Sequence, residues 1–157
     1  MLERSTDAAF VNRIANDPSV RPWLGLGVEP VDLAPVIQDP AVYALMGEHG
    51  GLVFLPVLDG VYSVHSLFLP AGRGASAVRA ALEAVDWLFA NSNAAVITTE
   101  VPVNNSAAGW LARRCGFIRV ERRPGAWIAA DGNAYDIDDY ILTRPRWSER
   151  QSRGRIM

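Results

Sequence analysis

The stretch "LFLPAGRGASAVRAALEAVDWLF", residues 67–89, leads from an apolar strand through a turn with proline and glycine directly into a helix. The spacing of its apolar residues predicts a helix that packs on a sheet through one stripe. Such a junction leaves the first backbone N–H groups of the helix without acceptors, and the helix dipole favours an anion there. The residues of the stripe are Val78, Leu82, Val85, Leu88 and Phe89.

The turn itself fits either an ordinary junction or a phosphate-binding loop. Gly72 and Gly74 would let a pyrophosphate approach the backbone, and Arg73 would add a positive charge. Neither common nucleotide-binding fingerprint, GxxxxGK[ST] or GxGxxG, is present. The turn alone therefore leaves both interpretations open.

The remaining elements can be placed outward from this junction. A helix is predicted over residues 5–16, and the proline-rich segment 18–40 is expected to be an irregular loop that covers or builds a site. Glycine-containing turns predict an antiparallel meander before the junction, and two helices alternate with strands after it. We predict strands at 42–47, 51–58, 61–69, 95–101, 117–122 and 134–143, and a further helix at 105–115, with "RRPGAW" as turn material.

Composition restricts the class of protein. Half of the 157 residues are apolar and the net charge is −2, which favours one packed domain over residues 1–143 and makes nucleic acid an unlikely partner. Cys115 is the only cysteine and the chain has two histidines, so neither a disulfide nor a zinc site is expected. We expect a soluble cytoplasmic protein without a membrane segment. The Arg-rich residues 144–157 are expected to form a flexible tail.

A second stretch, "NNSAAGWLARRCGF" at residues 104–117, favours the phosphate-binding interpretation of the first stretch. Together the two resemble the GNAT family, the Gcn5-related N-acetyltransferases. The strand end at 67–70 is followed by Arg73 and Gly74, which resemble the start of the family's R/Q-x-x-G-x-G/A loop. The segments "GEHGG" and "VYSVHSLFLP" are similar to a branch seen in bacteriophage-related proteins. The later family motif, N-x-x-A-x-x-L-Y-x-x-x-G-F, is matched by Asn105, Ala108, Leu111, Gly116 and Phe117.

This resemblance implies a mixed, mostly antiparallel sheet of about six strands flanked by helices. It also implies acetyl-CoA as co-substrate, whose pyrophosphate the loop amides would hold, and acetyl transfer to the amine of a small molecule or peptide. A backbone N–H near Phe68 or Leu69 would meet the oxyanion. A homodimer through sheet edges or apolar loop residues is compatible with these features. The implied cofactor-binding residues are Leu67, Phe68, Leu69, Arg73, Gly74, Ala75, Ser76, Ala77, Val78, Asn105 and Ala108.

Two residues are candidates for the general base that such a transfer needs. His65 lies on the strand before the loop and has an ordinary pKa near 6.5, and Glu100 ends the next strand, where the two strands part in this family. Each also has a structural interpretation, as a satisfied strand histidine and a solvated carboxylate. Asp136, Asp138 and Asp139 would face solvent or an acceptor amine.

Three positions depart from the family pattern. Ser76 and Val78 stand where the loop usually has small residues, and Ala112 replaces a tyrosine that often acts as general acid. Two functions therefore remain: an acyl-CoA-dependent N-acyltransferase, or a non-catalytic GNAT-like module with a structural or partner-binding role, for example in a phage particle. A Ser76 hydroxyl and backbone amides that point at a shared centre would favour the enzyme, whereas a Val78 side chain that fills that centre would favour the module. Trp110 is expected in the core.

Overall fold

The computed structural model describes residues 1–25, 27 and 29–156, with the side chains of 155 and 156 excepted. Seven strands and five α-helices follow one another along the chain, with short 3-10 turns at Arg21–Leu24 and Pro70–Gly72. The strands are β1 (Glu3–Arg4), β2 (Tyr43–Gly47), β3 (Gly50–Leu58), β4 (Val61–Phe68), β5 (Val96–Pro102), β6 (Ile118–Ile128) and β7 (Ala134–Thr143). The helices are α1 (Ala8–Ala15), α2 (Ala34–Ile37), α3 (Ala75–Asn91), α4 (Ser106–Arg114) and α5 (Arg144–Ile156).

All the strands belong to one sheet in the order β1-β2-β3-β4-β5-β7-β6. Every neighbouring pair is antiparallel except β4 and β5, which α3 connects as a crossover. The mixed, mostly antiparallel sheet with flanking helices is confirmed. It has one strand more than expected, because β1 adds two residues at the edge of β2.

The two faces of the sheet carry separate apolar clusters. On one face α3 and α4 cover residues such as Phe54, Val64 and Ile97. On the opposite face α1 and α2 cover a smaller cluster that includes Leu67 and Val53. We call these the α3 face and the α1 face.

The helix α3 lies on the sheet through alanines. The predicted stripe is correct at Val85, Leu88 and Phe89, but Val78 and Leu82 are only partly buried. The helix is rotated towards Ala77, Ala81 and Ala84, which are buried, because side chains without branches let the helix approach the strands closely. This rotation moves Val78 away from the contact between α3 and the sheet.

The strand β6 is longer than predicted. The segment "RRPGAW" was expected to be a turn, but it continues the strand to Ile128 with register shifts at Arg119/Glu121 and Arg123/Trp127. An edge strand tolerates Pro124, because the missing N–H costs no ladder bond on the solvent side.

The C-terminal segment is a helix rather than the flexible tail expected from its composition. Trp147 stacks on Phe89 with 5.0 Å between ring centroids, and its Nε1 donates to Asp86 at 2.8 Å. The guanidinium of Arg150 donates to the carbonyl of Cys115 at 2.6 Å. The charged side chains of this segment therefore bind specific acceptors. Composition alone does not predict this arrangement.

Substitution of Trp147 tests this packing. Trp147→Ala should lower the free energy of unfolding by about 2 kcal/mol, because it removes a half-buried ring and leaves Asp86 with fewer donors. Urea unfolding followed by circular dichroism measures it without relying on tryptophan fluorescence. The control Arg153→Ala breaks only an exposed ion pair with Glu149 and should change stability by less than about 0.5 kcal/mol. Equal stability of both variants would contradict a docked helix.

Candidate functional site

The sheet opens between β4 and β5. Only three residue pairs join these strands, the last being Ser63 and Thr98, although β4 continues to Phe68 and β5 to Pro102. At the start of the opening, Thr99 Oγ1 donates to the carbonyl of Val64 at 3.2 Å. Beyond that point each strand presents backbone groups to a gap instead of to its neighbour.

A cavity of about 520 Å³ passes through this opening. On the α3 face its wall is built of small side chains, including Ala77, Ala81 and Ala112. On the α1 face it is bounded by the loop segment Ser19, Val20, Trp23 and Leu24, which we call the 19–24 loop. The volume is in the usual range for small-molecule sites. The cavity therefore connects the two faces of the sheet.

The N-terminus of α3 lies at one end of the cavity. Gly74 caps the helix with φ +73°, and no side chain caps it among the described residues. The first helical bond runs from Val78 N to Gly74 O, so the amides of the preceding three residues have no helical acceptor. A Cβ on Gly74 would meet nothing within 4 Å, which means that the space beside these amides is open. This end suits an anion.

Arg73 joins the two sides of the site. Its Nε donates to the carbonyl of Phe68 at 3.2 Å, and its Nη2 donates to the carbonyl and hydroxyl of Ser19 at 3.1 and 3.0 Å. The guanidinium thus fastens the 19–24 loop to the end of β4. Its charge remains near the tip of α3, and its Nε and Nη2 donate to protein acceptors.

His65 and Glu100 face each other across the opening. Each lies two residues beyond the last paired position of its strand, so both side chains are on the α1 face. The imidazole is open to the cavity, but protein surrounds its other sides, and this desolvation lowers the pKa of His65 below 6.5, while the Glu100 carboxylate opposes the shift. His65 is therefore neutral at pH 7.

Glu100 is not a free carboxylate. Arg123 Nη2 lies 3.2 Å from its Oε1, and the same guanidinium forms two hydrogen bonds with Asp139 at 2.8 and 2.9 Å. Of the two candidate bases, His65 is the one that can accept a proton without breaking an ion pair.

The backbone of β4 offers donors to the opening at alternate residues. The bond from Thr99 directs the backbone of Val64 towards β5, and alternation then directs Ser66 and Phe68 the same way. Leu69 N instead donates to the carbonyl of His49 at 2.9 Å. Of the two amides considered for an oxyanion, Leu69 is thus already bonded, and Phe68 faces the gap.

The helix α4 borders the cavity through its motif residues. Asn105 caps it, accepting from the amide of Ala108 at 3.2 Å. Ala112 is buried where the family has tyrosine. Trp110 was expected in the core but is 40% exposed at the cavity wall. Cys115 is buried, and burial raises the pKa of its thiol to about 11.

The structure brings together part of the predicted site. The side chains of Leu67 and Leu69 pack in the α1-face cluster, because they alternate with the residues that face α3. Ala75 and Val78 are outside the cavity lining, and the hydroxyl of Ser76 accepts from Arg79 at 3.2 Å instead. The predicted residues that do line it are His65, Phe68, Arg73, Gly74, Ala77, Glu100, Asn105 and Ala108.

Several lining residues were not predicted individually. The proline-rich segment signalled a site loop, but nothing in its pattern selected Ser19 or Trp23. Ser66 and Thr99 have no signal beyond their place on strands that separate. Among the described residues no group of three His, Cys, Asp or Glu could hold a metal ion, and no described helix is long and apolar enough to span a bilayer.

The three carboxylates of β7 are engaged by the protein, not presented to an acceptor. Asp138 is buried and bound by two hydrogen bonds from Arg122 at 2.6 and 2.9 Å, which hold the pKa of Asp138 below its usual value. Asp139 is bound by Arg123, and Asp136 accepts from the amide of Gly125 at 3.0 Å. The prediction that they face solvent or an amine is wrong at Asp138.

Comparisons with known proteins agree with this geometry. A chimera of Vibrio cholerae spermidine N-acetyltransferase SpeG with hSSAT superposes with a TM-score of 0.77 at 16% identity, over 95% of this chain and 99% of that one. The Vibrio cholerae enzyme in complex with CoA and spermine gives 0.76 at 17% identity, over 94% and 96%. A GNAT-family acetyltransferase from Bacillus anthracis gives 0.71 at 15% identity, over 90% and 93%. No protein-family model fits the sequence, and no curated protein matches it significantly. The chain therefore has the GNAT fold.

Titration of His65 tests the electrostatics of the opening. In a His49→Gln background, NMR should give His65 a pKa below 6.5, and Glu100→Gln should lower it further by removing the opposing charge. Because the folded state binds this proton less readily than the unfolded chain, the stability contribution is present above pH 6.5 and is lost as pH falls towards the lowered pKa. A pKa above 6.5 would contradict the desolvated setting.

Proposed function

We propose that this protein is an acyl-CoA-dependent N-acyltransferase, which transfers an acetyl group from acetyl-CoA to the primary amine of a small molecule or peptide by direct attack in a ternary complex. One observation carries the proposal. The opening between β4 and β5 connects an uncapped helix N-terminus on one face to a neutral imidazole on the other. A thioester donor and an amine can therefore approach each other from opposite faces.

The α3 end fits the pyrophosphate of acetyl-CoA. Three amides without helical acceptors, the open space at Gly74 and the nearby Arg73 favour two adjacent negative charges. The side chain of Val78 does not fill this centre, since it lies outside the cavity lining. The argument for a non-catalytic module that a Val78 side chain in this centre would have supplied is therefore absent. The Ser76 hydroxyl, which accepts from Arg79 outside the cavity lining, adds no donor to the site, so the proposal relies on the backbone amides.

The opening itself fits the pantetheine arm. The arm carries amides, which need hydrogen-bond partners when they leave water. The backbone groups of Ser66 face the gap without a neighbouring strand and can supply them. The alanines of α3 and α4 leave room for the chain between the helices. The thioester would then reach the α1 face beside His65.

His65 is the proposed general base. An ammonium group must lose its proton before it attacks a thioester, and a neutral imidazole accepts it directly or through water. The Phe68 amide is the proposed donor to the oxyanion. Glu100, held by Arg123, adds negative potential that favours the imidazolium as it forms.

The absence of the family's tyrosine, which Ala112 replaces, does not prevent the proposed acetyl transfer. A thiol has an ordinary pKa near 8.5, so a thiolate leaves a thioester without a strong requirement for a positioned acid. Cys115 lines the cavity but is a poor donor, because its raised pKa of about 11 exceeds that of the departing thiol. We therefore propose that, as the C–S bond breaks, the CoA thiolate is protonated through water by the second proton, which the nitrogen loses after the C–N bond forms. The solved neighbours, named as a spermidine N-acetyltransferase and a GNAT-family acetyltransferase, support the reaction class through their shared fold.

Gly74 tests the cofactor end. Gly74→Ala should weaken acetyl-CoA binding roughly tenfold, because a Cβ at φ +73° strains the turn by about 1 to 2 kcal/mol and occupies the anion's approach. The control Gly132→Ala, at φ +84° and equally open, carries the same strain outside the cavity and should leave the affinity unchanged. Calorimetric titration measures both. If the unaltered protein gives no heat and no thermal shift with millimolar acetyl-CoA, the enzyme proposal fails and the non-catalytic module is favoured.

His65 tests the chemistry. His65→Gln should lower kcat at pH 7 about a hundredfold with little change in acetyl-CoA affinity, and should abolish the acidic limb of the kcat/KM profile, whose midpoint lies below pH 6.5. The control His49→Gln alters an exposed turn and should keep the wild-type profile. Unchanged turnover in both His65→Gln and Glu100→Gln would exclude both side chains as the base.

A further inference from the structure

The wall of the cavity on the α1 face is apolar and aromatic. The 19–24 loop contributes Val20, which is buried, together with Leu24 and the ring of Trp23, which is 39% exposed. An indole at a cavity rim provides a large apolar surface at a small cost in side-chain entropy. This wall lies on the same side as His65, where an acceptor would sit.

Two contacts hold this loop in place. Arg73 binds the carbonyl and hydroxyl of Ser19 at one end. At the other end Gly25 lies against the ring of Trp127 on β6, so close that a Cβ on Gly25 would come within 2.7 Å of it. Trp23 lies between these anchors, and its ring is therefore positioned before any ligand binds.

The cavity has almost no negative charge to offer. Among the described lining residues Glu100 is the only carboxylate, and it is already paired with Arg123, whose guanidinium also binds Asp139. At the rim, Asp17 accepts from the amide and hydroxyl of Ser19 at 2.9 and 2.6 Å and faces Arg73. An ammonium group inside the cavity would have only the Glu100 carboxylate to pair with, in competition with Arg123.

We infer that the acceptor is a monoamine with an apolar or aromatic body, and not a polyamine. The inference rests on the proposed function. A reacting amine gives its proton to His65 and becomes neutral, which this cavity accommodates. A second ammonium would keep its charge, and burial of a charge without a partner is strongly unfavourable. In this respect the site differs from the solved neighbours, whose named acceptors are spermidine and spermine.

A matched pair of amines tests the inference. 1-Aminohexane and 1,6-diaminohexane have the same length and differ by one terminal ammonium group. With saturating acetyl-CoA we expect kcat/KM for the monoamine to exceed that for the diamine at least about tenfold, with phenethylamine better still and spermidine poorest. Equilibrium titration of the CoA-loaded protein with each amine gives a second readout that needs no turnover.

Variants of Trp23 locate the effect. Trp23→Ala should raise KM for phenethylamine about tenfold while acetyl-CoA affinity is unchanged, and Trp23→Phe should restore most of it. Trp23→Glu supplies a free carboxylate and should shift the preference towards the diamine. The control Leu58→Glu, at a position 71% exposed outside the cavity lining, should leave the preference as it is.

The outcomes separate the two proposals. If acetyl-CoA binds and the diamine or spermidine is used as well as the monoamine, the inference is overturned while the acyltransferase stands. If acetyl-CoA binds but no monoamine binds or reacts at millimolar concentration, the inference is also overturned. If acetyl-CoA does not bind, both proposals fall together.

Discussion

The separation of β4 from β5 after three residue pairs is the constraint on which the rest of the structure depends. Within a sheet, a strand edge without a neighbouring strand exposes backbone donors and acceptors, which must find hydrogen-bond partners elsewhere. Here the loss is partly compensated by Thr99 and by Arg73, which bind carbonyls of β4 at the two ends of the gap. The backbone groups that remain without partners face the cavity, where a ligand that carries amides can form hydrogen bonds with them.

The helices adapt to this opening. The helix α3 connects the two separating strands, and its alanine stripe lets it lie close to them without filling the gap. Its N-terminus consequently points at the end of the opening, with Gly74 in a backbone conformation that favours glycine. The alanine face thus accounts for the close packing on the sheet, and the glycine cap without a side-chain acceptor accounts for the free amides at the tip.

Arginine side chains donate hydrogen bonds to many of the backbone carbonyls and carboxylates that have no other partner within their own element. Beyond the end of α3, Arg144 donates to the carbonyls of Ser92 and Ala94, and beyond α4, Arg146 and Arg150 donate to Gly116 and Cys115. A guanidinium carries several donors in a fixed plane and matches the free carbonyls that helix ends leave. The same fork geometry binds Asp138 and Asp139 of β7, and neither carboxylate belongs to the cavity lining.

The sequence by itself determined the order and type of β2 to β7 and of α1, α3 and α4, because apolar periodicity and glycine-containing turns act over a few residues. It did not predict β1 or α2. It indicated the junction between β4 and α3 as a candidate anion site, since Arg73 and Gly74 stand directly before a helical stripe. Only the tertiary structure decided that residues 144–156 dock as a helix, that Leu67 and Leu69 turn away from the cavity, and that Glu100 pairs with Arg123. Each of these features depends on contacts between residues that are distant in the chain, and a local sequence pattern does not predict such contacts. The rotation of α3 by which Val78 leaves the site belongs to the same class, because it is set by how closely alanines allow the helix to approach the sheet.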